Sequence, residues 1–188
     1  MIGEIQVFHP KNCMMKKIGL LSDTHSFLDE SLFRYFEPCD EIWHGGDIGI
    51  PTVADRLEAF RPFRAVYGNI DGNPIQLRYP LDLRFECEGV DVFMTHIGGY
   101  PGKYEARVRT ILQANPPKLF ICGHSHILKV MNDKALGLLH MNPGACGNEG
   151  WHKVRTALRF DLHAGRIENL EVIELGRRGH WAGPTTPA

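Results

Sequence analysis

The most constraining feature of this 188-residue chain is a set of short apolar runs, each stopped abruptly by a polar residue. Residues 18–21 end at Ser22-Asp23, residues 41–44 end at Gly45-Gly46-Asp47, and residues 64–67 end at Gly68-Asn69. Runs this short and this apolar read as buried strands. Between them, Leu28, Leu32, Phe33 and Phe36 share one helical face over residues 28–36. Val53, Leu57 and Phe60 do the same after Pro51, a residue suited to a first helical turn. Strand, helix, strand, helix, strand is the order of βαβ units around a parallel sheet.

The pattern then changes. Residues 81–88 and 90–96 read as a hairpin turned at Glu88-Gly89, and a helix is expected over 103–114, broken by Asn115-Pro116-Pro117. Residues 119–122 form another buried run. Strands are expected over 127–131, 137–141, 154–161 and 167–175, with turns at Asn132-Asp133 and Ala164-Gly165. A parallel half joined to a more antiparallel half predicts an α/β fold in which two sheets pack face to face with helices outside. Residues 176–188, rich in Gly, Pro, Arg and Thr, read as a flexible tail. Met15-Lys16-Lys17 resembles a natural start, so the chain begins at Met1 or Met15. Residues 1–14 read as an extension, leaving 15–175 as one domain.

Composition excludes several function classes. A net charge of −1 provides no broad basic field for a nucleic-acid backbone, so no stable nucleic-acid complex is expected. No apolar run approaches the roughly 18 residues of a membrane helix, and no signal peptide precedes the first strand. The cysteines number five and lack a C-x-x-C pair, which suits reduced thiols in a cytoplasmic protein.

The polar residues that stop the runs carry the chemistry. Asp23 and His25 follow the first strand, Asp47 the second and Asn69 the third. His96 follows the hairpin, and His124 and His126 follow Cys122-Gly123. Ligands of open α/β sheets gather at the carboxyl ends of strands, and residues two apart in extended chain point the same way. Seven Asp, Asn and His side chains in these places describe a mixed oxygen and nitrogen metal site. It suits Mn²⁺, Fe, Zn²⁺, Ni²⁺ or Co²⁺.

Asp23-Thr24-His25, Gly46-Asp47, Gly68-Asn69, Thr95-His96 and Gly123-His124-Ser125-His126, in this order, resemble the calcineurin-like metallophosphoesterases. Asn142-Pro143-Gly144 and the short length resemble the small bacterial and archaeal phosphodiesterase branch, in the structural group of the retromer subunit Vps29. The resemblance implies a four-layer αββα sandwich of two mixed sheets. It further implies two divalent ions, Mn²⁺ foremost. One would be held by Asp23, His25, Asp47 and His126, the other by Asp47, Asn69, His96 and His124. Asp47 would bridge metals about 3.5–4 Å apart, and Asp47, Asn69 and His124 are the expected catalytic residues. Four positive charges less two carboxylates and a bridging hydroxide leave about one, which matches a phosphodiester monoanion. The implied reaction is attack of that hydroxide on a small phosphodiester, and a homo-oligomer fits the branch.

Two positions depart from the pattern. Many relatives carry a His after the Asn, where this chain has Ile70, which cannot donate a proton. Asp71 is then expected to cap the loop, with substrate contact as the other option. The Gly98-Gly99 loop offers Tyr100, Lys103 or Tyr104 to substrate, or is an ordinary turn. His44 and His140 read as structural; His152 receives no role. The alternatives to a phosphodiesterase are a Vps29-like binding scaffold and a nuclease.

Overall fold

The computed structural model describes residues 14–179. The first thirteen residues of the expected extension and the end of the expected tail lie outside them. The chain runs β1 (Lys16–Leu21), α1 (Ser31–Phe36), β2 (Glu41–His44), α2 (Pro51–Phe60), β3 (Phe63–Ala65) and α3 (Asn73–Gln76). It continues through β4 (Asp82–Cys87), β5 (Val90–Thr95), β6 (Gly99–Tyr100), β7 (Lys103–Tyr104), α4 (Ala106–Ala114) and β8 (Leu119–Ile121). It ends with β9 (Leu128–Asp133), β10 (Leu138–Pro143), β11 (Val154–His163) and β12 (Arg166–Arg177).

Two five-stranded mixed sheets result, in the orders β12-β11-β1-β2-β3 and β4-β5-β8-β10-β9. In the first, β1, β2 and β3 are parallel; in the second, β5, β8 and β10 are. The alternation of side chains along each strand builds the layers. Ile18, Leu20, Trp43, Val92, Met94, Leu119, Ile121, Leu158 and Phe160 form the core between the sheets. The intervening Leu21, Ile42 and Ala157 pack with Leu32, Phe36, Val53 and Leu57 of α1 and α2. On the other flank Phe93 and Phe120 pack with Val108 and Leu112 of α4. The predicted αββα sandwich is the observed one. Each of these large side chains contributes roughly 1.5–3 kcal/mol by leaving water.

Local polar chemistry moves several boundaries. The first helix begins at Ser31 rather than 28, because the Asp29 carboxylate accepts both the backbone N–H and the hydroxyl of Ser31, at 2.9 and 2.7 Å. The fourth begins at Ala106 rather than 103, where the Glu105 side chain accepts the Val108 N–H. Residues 99–104 form the hairpin β6–β7 instead. The turn expected at Asn132-Asp133 lies later, since Asp133 closes β9 and its Oδ1 accepts the N–H groups of Ala135 and Leu136. The short helix α3, with Pro74 in its first turn, falls in a stretch to which the apolar pattern assigns no element. Pairing of Val154 with Arg177 carries β12 past Leu175. Among the described residues no helix is long and apolar enough to cross a membrane.

Candidate metal centre

The carboxyl ends of β1, β2, β3, β5 and β8 lie along one edge of the sandwich, and the loops leaving them are stitched together. Asp23 N–H donates to the Gly46 carbonyl at 2.9 Å and His25 N–H to that of Asp47 at 3.0 Å. Within the second sheet Gly123 N–H donates to the His96 carbonyl, while across the sheets the His124 N–H points at the Asp23 carboxylate, 3.2 Å from each oxygen. The turns are tight enough that Asp23, His25, Asp47, His124 and His126 all hold positive φ, from 47 to 66°. Such backbone costs on the order of 1–3 kcal/mol per residue and marks sites where side chains are aimed for a purpose.

Two sets of side chains converge. One ligand atom from each of Asp23, His25, Asp47 and His126 lies within 4.8 Å of the others, and the same holds for Asp47, His96 and His124. Asp47 belongs to both sets. His25 Nε2 approaches Asp47 Oδ2 at 3.4 Å, His96 Nε2 approaches it at 3.2 Å, and His126 Nε2 approaches Asp23 Oδ1 at 3.2 Å. Asn69 sits exposed beyond β3, lining a cleft with His96.

Glycines make the crowding possible. At Gly46, with φ of +96°, a Cβ would lie 2.6 Å from His96 Nδ1; at Gly68 it would lie 2.0 Å from Asp47 Oδ1.

The residues fit a cation. His96 Nδ1 donates to the Gly45 carbonyl at 2.8 Å, which fixes its tautomer and leaves Nε2 with a free lone pair. Nε2 of both His25 and His96 is buried with no hydrogen-bond partner, an arrangement that calls for a ligand. Burial works to raise the Asp47 pKa, but His96, the Ile70 N–H and His25 outweigh it and hold the carboxyl below the usual range. Burial likewise opposes protonation of His96, yet Asp47 and Asp23 raise its pKa; Asp23 raises that of His126. The two acids thus favour positive charge at the ring nitrogens that face them. His124 is lowered by burial and by His96.

Around the candidate ligands lies a layer that positions them. His44 is fully buried, accepts the Gly46 N–H on Nδ1 at 3.1 Å and donates from Nε2 to Thr24 Oγ1 at 3.0 Å. Burial pushes it down to about 3, so it is the neutral structural histidine the sequence indicated. Asp71 is buried and saturated: it accepts the N–H groups of Gly49, Gly68 and Ile48 at 2.7, 2.8 and 3.1 Å. It therefore clamps two ligand loops together, and the substrate-contact option for Asp71 is set aside. Two positioning residues were not singled out from sequence. Asn142 donates to the Gly123 carbonyl at 2.8 Å and to Ser125 Oγ, and the Asn-Pro-Gly turn was its only signal. His152 places its ring 5.4 Å from that of His126, with nothing in the sequence to mark it.

Tyr100, Lys103 and Tyr104 line a second cleft that reaches His124. The Tyr104 hydroxyl already donates to Asp133 at 2.8 Å.

The sequence of residues 15–165 matches the calcineurin-like phosphoesterase superfamily domain. The chain belongs to that superfamily. A probable metallophosphoesterase of Methanothermobacter thermautotrophicus is 30% identical over 135 residues, 68% of this chain and 76% of the relative. An archaeal phosphodiesterase superposes with a TM-score of 0.66 at 22% identity, covering 85% of this chain and 99% of its own. Wild-type Vps29 of Entamoeba histolytica complexed with Zn²⁺ superposes with a TM-score of 0.62 at 14% identity, covering 84% and 98%. Membership makes the chain a phosphoesterase-family hydrolase with a candidate metal-binding centre.

Proposed function

We propose that the chain is a two-metal phosphodiesterase acting on a small phosphodiester. The observation that carries this reading is the sharing of Asp47 between two convergent ligand sets. Asp23, His25, Asp47 and His126 would hold one ion, and Asp47, Asn69, His96 and His124 the other. Mn²⁺ is the proposed occupant; the Zn²⁺ bound by the Vps29 neighbour names the first competitor. When bound, the ions supply an activated water and positive charge against the phosphoryl oxygens. Asp47, common to both sets, would hold both ions, Asn69 would complete the second set, and His124 lines the open cleft where the ester arm would lie. The catalytic domain spans 15–175. Buried free thiols at Cys39, Cys87, Cys122 and Cys146 support a reducing, cytoplasmic setting.

Ile70, 44% exposed, stands where many relatives have a proton-donating His. No proton then reaches the leaving oxygen from that position, a deficit on the order of 10²–10⁴-fold for poor leaving groups. Aryl diesters should therefore be cleaved far faster than alkyl diesters. The deciding measurement is Mn²⁺-stimulated release of p-nitrophenol from bis-p-nitrophenyl phosphate. Turnover by the wild type with near-complete loss in Asp47→Ala is expected; equal rates for the two would end the reading.

A further inference from the structure

The ligand cage accounts for one end of a substrate. Next to His124 the surface sinks into a cavity of about 280 Å³ bordered by β6, β7 and β9. Lys103 and Lys129 both line it, and Lys129 Nζ sits 3.6 Å from the centre of the Tyr100 ring. Among the described residues, neither ammonium takes part in an ion pair. One acid, Glu105, also lines the cavity, opposite in charge to the two ammonium groups. Glu105 accepts the Val108 N–H, and Asp133 accepts two N–H groups and the Tyr104 hydroxyl. Ser125 Oγ accepts from Asn142, which leaves its own O–H to donate. His140, fully buried, also lines the cavity and has no partner on Nδ1.

Part of the cavity wall is apolar. Ile97 and Ile127 directly follow two of the histidine ligands and are 39% and 60% exposed, and Tyr100 adds an aromatic face. One cavity therefore offers a candidate metal-binding imidazole, apolar wall and two ammonium groups. Two unpaired cations beside an O–H donor match the charge and hydrogen-bonding of a phosphate dianion.

Building on the phosphodiesterase reading, we propose that this cavity seats a second phosphate group. The substrate is a phosphodiester whose arm, beyond a flat or apolar spacer, ends in a further phosphate held by Lys103, Lys129 and Ser125.

The test compares two ligands on the full-length Zn²⁺-loaded chain by calorimetry: phenyl phosphate and 1,4-phenylene bisphosphate. The bisphosphate should bind about tenfold tighter, the scale of one charge-assisted hydrogen bond, and Lys103→Gln/Lys129→Gln should erase that advantage. Equal affinities in the wild type, or an advantage that survives the double substitution, would overturn the proposal. Turnover of bis-p-nitrophenyl phosphate separates the two ideas. Equal affinities with turnover remove only the second-phosphate seat. A lysine-dependent advantage without turnover removes the hydrolase reading and leaves the seat standing.

Discussion

The two sheets bring unlike chemistry to the edge they share. The β1–β2–β3 side supplies both carboxylates of the cage, Asp23 and Asp47, together with His25; the β5–β8 side supplies only imidazoles, His96, His124 and His126. Neither side alone makes either ligand set, since each set draws on both. Under the two-metal reading, bound ions would fasten one sheet to the other. Site integrity and sheet packing would then be one property rather than two.

The largest expected effect breaks this comparison at its shared atom pair. Asp47→Ala should lose both ions, whereas His126→Ala, on the opposite sheet, should lose one. Metal analysis after desalting reads the difference. EDTA should also lower the melting temperature of the wild type, because ligands that bind only the folded state stabilise it, and should leave Asp47→Ala unmoved. A similar EDTA shift in both proteins would show that the ions do not join the sheets through Asp47.

A smaller effect sharpens the contrast between ligand and support. The Asp71 carboxylate accepts from backbone N–H groups, and removing it in Asp71→Ala strands three donors, two of them buried, at roughly 1–3 kcal/mol each. Urea denaturation of the metal-free protein should register a loss of about 3 kcal/mol or more. A change under about 1 kcal/mol would mean the loops are held some other way.

Gly46→Ala probes the close approach of the loop after β2 to the His96 ring. The added methyl meets the His96 ring, and the backbone holds φ of +96°. A stability loss on the order of 1–3 kcal/mol is expected, with weaker metal binding because the ring must turn. Unaltered metal affinity would place His96 outside the ligand set.

The mildest test is titration. Burial holds His44 near 3 and His140 near 4, against about 6.5 in the unfolded chain. Below 6.5 the unfolded state takes up protons that the folded state refuses. Stability is therefore complete above that pH and is lost as pH falls towards 4, by about 1.4 kcal/mol per unit for each histidine. His140→Leu should flatten the slope of melting temperature against pH in the metal-free protein. An unchanged slope would assign acid sensitivity to other groups.

Much of the cage was legible in the sequence because its parts are local. Asp23, Asp47 and His124 each end a strand whose apolar run announces it, and parallel strands carry their carboxyl ends to one edge. What was not legible depends on contacts between distant segments. Nothing near Asp71 in sequence says that its partners include Ile48 and Gly49. His152 reaches His126 only because the β10–β11 connection folds back. The start of α1 was misplaced because one side chain, Asp29, outbid the helix for Ser31. The lysine-lined cavity needs the hairpin β6–β7 to stand beside β9, a pairing that no periodicity encodes.

The left-handed backbone of the ligand residues has a consequence for inheritance. At Asp23, His25, Asp47, His124 and His126 glycine is the amino acid the main chain would prefer. A lineage that no longer needed hydrolysis could exchange any of them and relieve torsional stress while its sandwich persisted. Chemistry in this architecture is easier to discard than shape. At all five positions the aim of the side chain and the ease of the backbone are opposed.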